Sequence, residues 1–215
     1  MSDSITTNNL AVISGQITRN FRPCPGNPGK NVCMTDLAVK RLSGCIDYIP
    51  VTIRTDTADT MHNRIEQNIR ITGRISSYNY HSSDGSHLNI SLLAHTHVFL
   101  DNPDNNNNEN SVFLDGYISR IPVFRTTPLG RRITELTIAV NYPYMESDYI
   151  PCICWNKTAL ETSILPCGTH MLAWGRMQSR EYLKKINELE ICQRTAYEVS
   201  IKRIFLPDKH NSSGQ

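Results

Sequence analysis

Residues 47–54 read DYIPVTIR and residues 148–155 read DYIPCICW, so one strand opening occurs twice in a chain of 215 residues. The same offset of 101 residues relates GQITR at 15–19 to GYISR at 116–120. Later in each copy the offset becomes 102, where GRISSYNY matches GRMQSREY. Because these blocks keep one order and nearly one spacing, the chain is predicted to contain two copies of a single folding unit.

The two copies are separated by DNPDNNNNEN at residues 101–110, which offers no apolar side chain to bury. Such an asparagine-rich stretch is typical of a flexible linker. We therefore expect a first domain at residues 1–100, which is the more degenerate copy, a second domain at 111–207 and a polar tail at 208–215.

Both copies read mainly as β-strands. In the second copy SVFLDGYIS and RITELTIAV alternate apolar and polar residues, and YIPCICW is a third strand. NKTALETSIL is the one stretch that suits a short helix, with Asn156 placed to cap its start and Pro166-Cys167-Gly168 placed to end it. Two strands follow, and the first copy repeats this order with residues 55–68 at the helix position.

This element order is that of a five-stranded Greek-key barrel, the OB-fold. Glycines inside the first and fourth strands of each copy suit a small barrel that must bend sharply to close. Strand order alone also allows other small β-barrels. The predicted fold class is all-β, with two tandem five-stranded Greek-key barrels, each with one short helix between its third and fourth strands.

Composition excludes several classes of protein. The net charge of +2 is too small to indicate a nucleic-acid partner by itself, so any basic surface is expected to be local. No apolar run approaches the ~20 residues that a membrane span needs, and the first residues lack the basic and apolar segments of a secretory signal. We therefore expect a cytoplasmic protein without a membrane partner.

Cysteine and histidine patterns do not indicate a metal site. The seven cysteines are odd in number and form no C-x-x-C pair, which disfavours a disulfide framework or a zinc site. Cys152 and Cys154 alternate on a predicted strand and are expected to pack as small apolar side chains. His95 and His97 also alternate, but no acid or cysteine stands at ligand spacing around them. No nucleophile motif or phosphate-binding loop occurs, so we expect no metal, no cofactor and no enzymatic activity.

Three motifs of the second copy carry a family resemblance. They are NSVFLDGYISRIP from Asn110 to Pro122, the turn TPLG at 127–130 and GRMQSREY at 175–182. Over about 95 residues the second copy thereby resembles the bacterial single-stranded DNA-binding protein family, while the first copy matches more weakly. The resemblance implies tandem OB-folds that bind single-stranded DNA, largely without sequence preference, in DNA replication, recombination or repair.

Family members hold the strand by stacking bases on aromatic side chains, because every base has a flat π-face. At the matching positions the second copy carries Tyr144, Tyr149, Trp155 and Tyr182, and the first copy carries Tyr48 and Tyr80. In the first copy Arg54 stands in place of Trp155, and Ser43 stands in place of Tyr144. The resemblance therefore implies a weaker site on the first barrel.

Basic side chains are expected to follow the DNA backbone by contacting phosphates. Lys157 and Arg180 match basic positions of the family, and the planar guanidinium of Arg54 suits a phosphate or a base. The remaining candidates are Arg120, Arg125, Arg131, Arg132 and Arg176 in the second copy and Arg19 and Arg74 in the first. Trp174, by contrast, is expected to face the core.

The resemblance also bears on partners. Two-barrel members of the family are dimers, which implies a homodimer with four OB-folds per assembly. The alternative function is that of a primosome or replication-restart type of OB-fold protein, acting mainly through protein–protein interaction. Replication proteins are further candidate partners, although the sequence ends FLPDKHNSSGQ and lacks the acidic, apolar tip of family members that recruit repair enzymes.

Overall fold

The structure is a computed structural model, and it describes residues 8–24, 31–56, 64–82, 85–100, 109–143, 145–185 and 191–207. Several predicted features lie outside the described residues. They are the stacking residue Tyr144, residues 57–63 of the segment at the first copy's predicted helix position, the linker at 101–108 and the tail at 208–215.

The first barrel contains five long strands and one short strand: β1 (Asn9–Ile17), β2 (Arg22–Pro23), β3 (Val32–Lys40), β4 (Ile46–Arg54), β5 (Asn68–Ser82) and β6 (Gly85–Phe99). β1 pairs with β3 and β3 with β4, both antiparallel. β4 then pairs with β6 in parallel, with Val51 opposite Leu92. β6 pairs with β5, and β5 pairs back with β1, so the sheet closes on itself.

The second barrel repeats this arrangement with β7 (Asn110–Ile118), β8 (Val123–Thr126), β9 (Arg132–Tyr142), β10 (Met145–Trp155), the helix α1 (Asn156–Ser163), β11 (His170–Lys185) and β12 (Ile191–Phe205). The long strands close in the same order, from β7 through β9, β10, β12 and β11 back to β7. The parallel pair is again the third strand with the fifth, where Cys152 lies opposite Val199. The prediction of two tandem Greek-key OB barrels is confirmed, with α1 between the third and fourth long strands of the second barrel.

Strand alternation builds the barrel cores. Along β9, Leu136, Ile138 and Val140 are buried, as their period of two requires for one face of a strand. Cys152 and Cys154 are buried on β10, as predicted, and burial raises the pKa of the Cys154 thiol to about 11. Both thiols therefore stay neutral at physiological pH and pack as apolar groups.

In each barrel, one glycine lets the fourth strand bend at a β-bulge. The register shifts between Thr72 and Gly73 in the first barrel and between Trp174 and Gly175 in the second. A Cβ on Gly73 would lie 2.0 Å from the carbonyl oxygen of Leu93, and a Cβ on Gly175 would lie 2.4 Å from the carbonyl oxygen of Ser200. Only glycine allows the two strands to approach this closely where the sheet turns.

The two barrels are joined through one continuous sheet of twelve strands. β1 and β7 pair antiparallel, with Leu10 opposite Phe113. Backbone hydrogen bonds extend the pairing at both ends, from Ser14 N–H to the oxygen of Glu109 and from Asp115 N–H to the oxygen of Asn8, each at 2.7 Å. The barrels are therefore linked by backbone pairing as well as by the chain itself.

Asn9 and Asn110 show the duplication in three dimensions. The amide side chain of Asn9 bridges the backbone N–H and oxygen of Ile75, and that of Asn110 bridges the same groups of Met177. Each asparagine thereby ties the first strand of its barrel to the fourth. Asn110, included in the predicted linker, is the first residue of β7.

Two local predictions are corrected by the structure. Asn156 is not the cap of α1, because the cap position is Trp155, which makes no side-chain capping hydrogen bond; Asn156 itself has a positive φ of 51°. Trp174 does not face the core, since it lies opposite Phe113 on the outer side of the sheet, with ring centroids 5.2 Å apart. The guanidinium of Arg203 lies 4.2 Å from the Trp174 ring centroid.

Candidate nucleic-acid interface

The outer face of β10 carries two of the predicted stacking residues. Ile150, Cys152 and Cys154 point into the core, so Tyr149 and Trp155 lie on the opposite face of the same strand. Tyr149 is 50% exposed and Trp155 is half-buried. Their spacing of six residues places them about 20 Å apart along an extended strand.

A cleft of about 750 Å³ lies beside this face and is lined by residues from both barrels. Tyr182 of β11 and Pro151 of β10 line it from the second barrel, and Tyr80 of β5 lines it from the first. Tyr182 is 39% exposed, and the ring of Tyr80 stacks on His87 with centroids 5.3 Å apart. Stacking candidates of the two barrels therefore meet in one cleft.

The first barrel presents the same arrangement on β4 with different chemistry. Tyr48 is 52% exposed, and Arg54 lies on the same face, six residues further along. Arg54 is well exposed and forms an ion pair with Asp56 at 3.0 Å. The position equivalent to Trp155 therefore carries a charged group that is already paired.

Among the basic candidates, Arg120 and Arg180 line the cleft. The Arg180 guanidinium lies 5.9 Å from the ring centroid of Tyr182 and within 4.0 Å of the carboxylates of Glu135 and Glu198. Arg125 also pairs with Glu135. The cleft is thus not uniformly basic, since Glu135 holds two arginines. Sequence reasoning missed this acid, although its alternation along β9 places it on the outer face.

The other exposed basic candidates lie elsewhere on the surface. Lys157 lies on α1, where it pairs with Glu161 at 3.6 Å, and Arg19 pairs with Asp36 at 3.4 Å. Arg131 and Arg132 are exposed around the turn between β8 and β9. These positions remain predicted phosphate contacts.

Arg74 and Arg176, predicted to contact phosphate, are each paired with a carboxylate of the other barrel. Arg74 of β5 forms an ion pair with Asp148 of β10, and both side chains are largely buried. Arg176 of β11 forms an ion pair with the fully buried Asp47 of β4 at 3.1 Å. The physical reason is that the neighbouring barrel covers these outward positions.

Asp47 is the centre of the contact made by Arg176. Its carboxylate accepts hydrogen bonds from Arg41 at 2.6 Å, from Arg176 and from the backbone N–H of Ser179 at 2.8 Å. Burial alone would raise the pKa of Asp47, but these hydrogen bonds and the charges of Arg41 and Arg176 outweigh it and lower the pKa. Asp47 therefore stays ionised between the barrels.

Asp148 is the equivalent residue of the second copy. It pairs with Arg74, accepts a hydrogen bond from the backbone N–H of Ser77 at 2.6 Å and accepts another from the hydroxyl of Tyr142 at 2.8 Å. Burial, followed by the charge of Asp148, raises the pKa of Tyr142 to about 12. The sequence signal for both acids was present in the repeated DYIP, but sequence reasoning assigned no role to the aspartate.

The described residues include no group of three or more His, Cys, Asp or Glu side chains placed to hold a metal ion. In that same part of the chain, no helix has the length and apolar character needed to cross a bilayer.

Comparison with known proteins agrees with this geometry. Residues 109–206 match the model of the Single-strand binding protein family. Single-stranded DNA-binding protein 3 of Listeria innocua is 31% identical over 116 residues, which cover 49% of this chain and 68% of that protein. Single-stranded DNA-binding protein B of Bacillus subtilis is 36% identical over 81 residues, which cover 34% of this chain and 71% of that protein.

Solved structures extend the similarity over both barrels. The wild-type single-stranded DNA binding protein from Thermus aquaticus aligns with a TM-score of 0.68 at 21% identity, covering 96% of each chain. A deletion mutant of that protein aligns with a TM-score of 0.70 and covers 96% of this chain. The fold and the outward aromatic rows define a tandem OB-fold protein. The chain belongs to the single-strand binding protein family.

Proposed function

We propose that this chain binds single-stranded DNA by base stacking and phosphate contacts, largely without regard to sequence, and performs no chemistry on it. The observation that carries the proposal is the pair formed by the exposed Tyr149 and the half-buried Trp155 on the outer face of β10, beside a cleft lined by Tyr80 and Tyr182. Each stacked base contributes roughly 1–3 kcal/mol in such sites. DNA replication, recombination and repair are the processes in which the family acts.

Family membership also supports a proposal for the assembly. We infer a cytoplasmic homodimer with four OB-folds. Within each chain, the predicted linker ends before Asn110, because that residue begins β7. Domains at 1–100 and at 111–207, the second extended by Asn110, with a tail at 208–215, are our proposal for the organisation of the chain. The mass of the particle in light scattering, about twice 24.4 kDa for a dimer, tests the inferred assembly.

Titration with oligo-dT tests the function directly. We expect quenching of tryptophan fluorescence at low salt and its reversal as salt rises, because phosphate contacts release counterions. The chain has two tryptophans, so the matched control is Trp155→Phe, which keeps a stacking ring and leaves Trp174 as the remaining fluorophore. Loss of the quenching in this variant, with binding still detected by fluorescence anisotropy of labelled DNA, assigns the signal to Trp155.

The alternative is a replication-restart type of protein that acts mainly through other proteins. No binding of oligo-dT by anisotropy at low salt would contradict our proposal and favour this alternative. If binding did not respond to salt, only the proposed phosphate contacts would be contradicted, and the proposed base stacking would stand.

Glu135 is expected to limit affinity, because its carboxylate lies in the cleft and pairs with Arg125 and Arg180. Glu135→Gln should therefore bind oligo-dT about threefold more tightly at low salt and with a steeper dependence on salt, since Arg125 is released toward phosphates while Arg180 keeps its ion pair with Glu198. The matched control is Glu109→Gln, which removes a similar carboxylate paired with Arg70 and does not line the cleft. Equal affinities for Glu135→Gln and the wild type in anisotropy titrations would contradict this role.

A further inference from the structure

The two exposed tyrosines of the repeated DYIP are each held by the opposite barrel. The backbone N–H of Tyr149, in the second barrel, donates to the Oγ of Ser77 in the first at 2.6 Å. The backbone N–H of Tyr48, in the first barrel, donates to the Oγ of Ser179 in the second at 3.1 Å. The same contact thus occurs twice, once in each direction.

Strand pairing explains why these N–H groups need a partner. One edge of β10 pairs with β9 along its length, while the described pairing of the other edge with β12 is confined to Cys152, Ile153 and Cys154. β4 is similar, since among the described residues its parallel pairing with β6 covers only Val51 and Thr52. Each tyrosine lies before the paired stretch, so a serine of the other barrel accepts the hydrogen bond that a strand would otherwise accept.

The buried aspartates fix the two serines in place. Asp148 accepts a hydrogen bond from the N–H of Ser77 at 2.6 Å, and Asp47 accepts one from the N–H of Ser179 at 2.8 Å. The aspartate immediately precedes the tyrosine in each DYIP. Each serine is thus bound twice, by the aspartate carboxylate and by the N–H of the tyrosine that follows it. These two contacts hold the strand edge that carries the tyrosine against the other barrel.

We propose that Ser77 and Ser179 are positioning residues for DNA binding, which hold the rings of Tyr149 and Tyr48 ready for stacking from across the barrel–barrel contact. Each stacking site is then a composite of both barrels. The inference rests on the proposed function. It assigns Ser77 of the weaker-matching first copy a part in the site of the second. A strand edge held before binding has less freedom to lose when a base stacks, and this favours affinity.

Double-mutant cycles in the full-length chain test the inference. Ser77→Ala is expected to weaken oligo-dT binding about fivefold, in line with one lost hydrogen bond. In a Tyr149→Ala background the same change should cost less than twofold, because the ring that Ser77 positions is gone. The crossed control is Ser77→Ala in a Tyr48→Ala background, where the fivefold loss should persist.

The second serine supplies the mirror-image test. Ser179→Ala should lose its effect in Tyr48→Ala and keep it in Tyr149→Ala. Ser77→Thr, which retains the hydroxyl, should restore affinity to within twofold of the wild type. A purely structural role of the serines would lower the melting temperature and weaken binding equally in both tyrosine backgrounds.

The outcomes separate this inference from the proposed function. Failure of the wild type to bind oligo-dT would overturn the proposed function. Wild-type binding together with no effect of either serine variant, or with an effect that is independent of the matched tyrosine, would overturn the positioning role alone.

Discussion

Replacing Asp47 with alanine is expected to lower the free energy of unfolding by about 3–5 kcal/mol, because it leaves two arginines without their buried counter-charge. Asp47 is fully buried between the barrels and pairs with Arg41 of its own barrel and Arg176 of the other. The loss is a large part of the ~5–15 kcal/mol that stabilises a typical folded domain. Urea denaturation followed by circular dichroism measures it.

The control for Asp47→Ala is Glu109→Ala. Glu109 also pairs with an arginine, Arg70 at 2.7 Å, but both side chains are about 40% exposed. Exposed pairs contribute about 0–1 kcal/mol, so this variant should unfold close to the wild type. Equal destabilisation by the two changes would contradict the role that burial assigns to Asp47.

The contribution of Asp47 should depend on pH in one direction. The folded-state pKa of Asp47 is lowered, so its stabilisation is fully present above the unfolded-state pKa of about 3.9 and is lost as pH falls through the folded value. The gap in unfolding free energy between the wild type and Asp47→Asn should therefore stay constant between about pH 5 and 7 and shrink below about pH 4. A gap that widens on acidification would contradict this assignment.

Trp155→Ala is expected to weaken binding of oligo-dT about tenfold or more, because it removes the largest stacking ring on the outer face of β10. Arg54→Ala, at the equivalent position of the first barrel, should cost less, since Arg54 already pairs with Asp56. Anisotropy titrations of both variants at one salt concentration give the comparison. An equal loss would overturn the ranking of the second barrel above the first.

Trp174→Phe serves as the control for the tryptophan change. Trp174 packs against Phe113 and Arg203 on the outer side of the sheet and does not line the cleft. Its replacement should leave affinity within about twofold of the wild type, in keeping with a volume change away from the stacking row. A loss as large as that of Trp155→Ala would mean that the DNA follows a different face.

The sequence by itself determined the two barrels and most of the stacking candidates. Alternation shows which face of a strand is apolar, so the period of two in YIPCICW already separates Cys152 and Cys154 from Tyr149 and Trp155. Because the two copies have similar sequences, the repeat then predicts that both adopt the same fold. Both conclusions depend only on the sequence of each copy, so the docking of one barrel against the other does not change them.

The roles of Arg74, Arg176 and the two aspartates were decided only by the tertiary structure. Alternation places Arg74 and Arg176 on the outer faces of their strands and so assigns them to solvent. Asp47 and Asp148 instead share the inward phase of Ile49 and Ile150, so the pattern predicts a buried charge without naming its partner. The docking of one barrel against the other removes that solvent and brings together groups far apart in the chain, such as Asp47 and Arg176, 129 residues apart. A buried charge then needs a counter-charge, and no local pattern in a sequence states which distant residue will supply it.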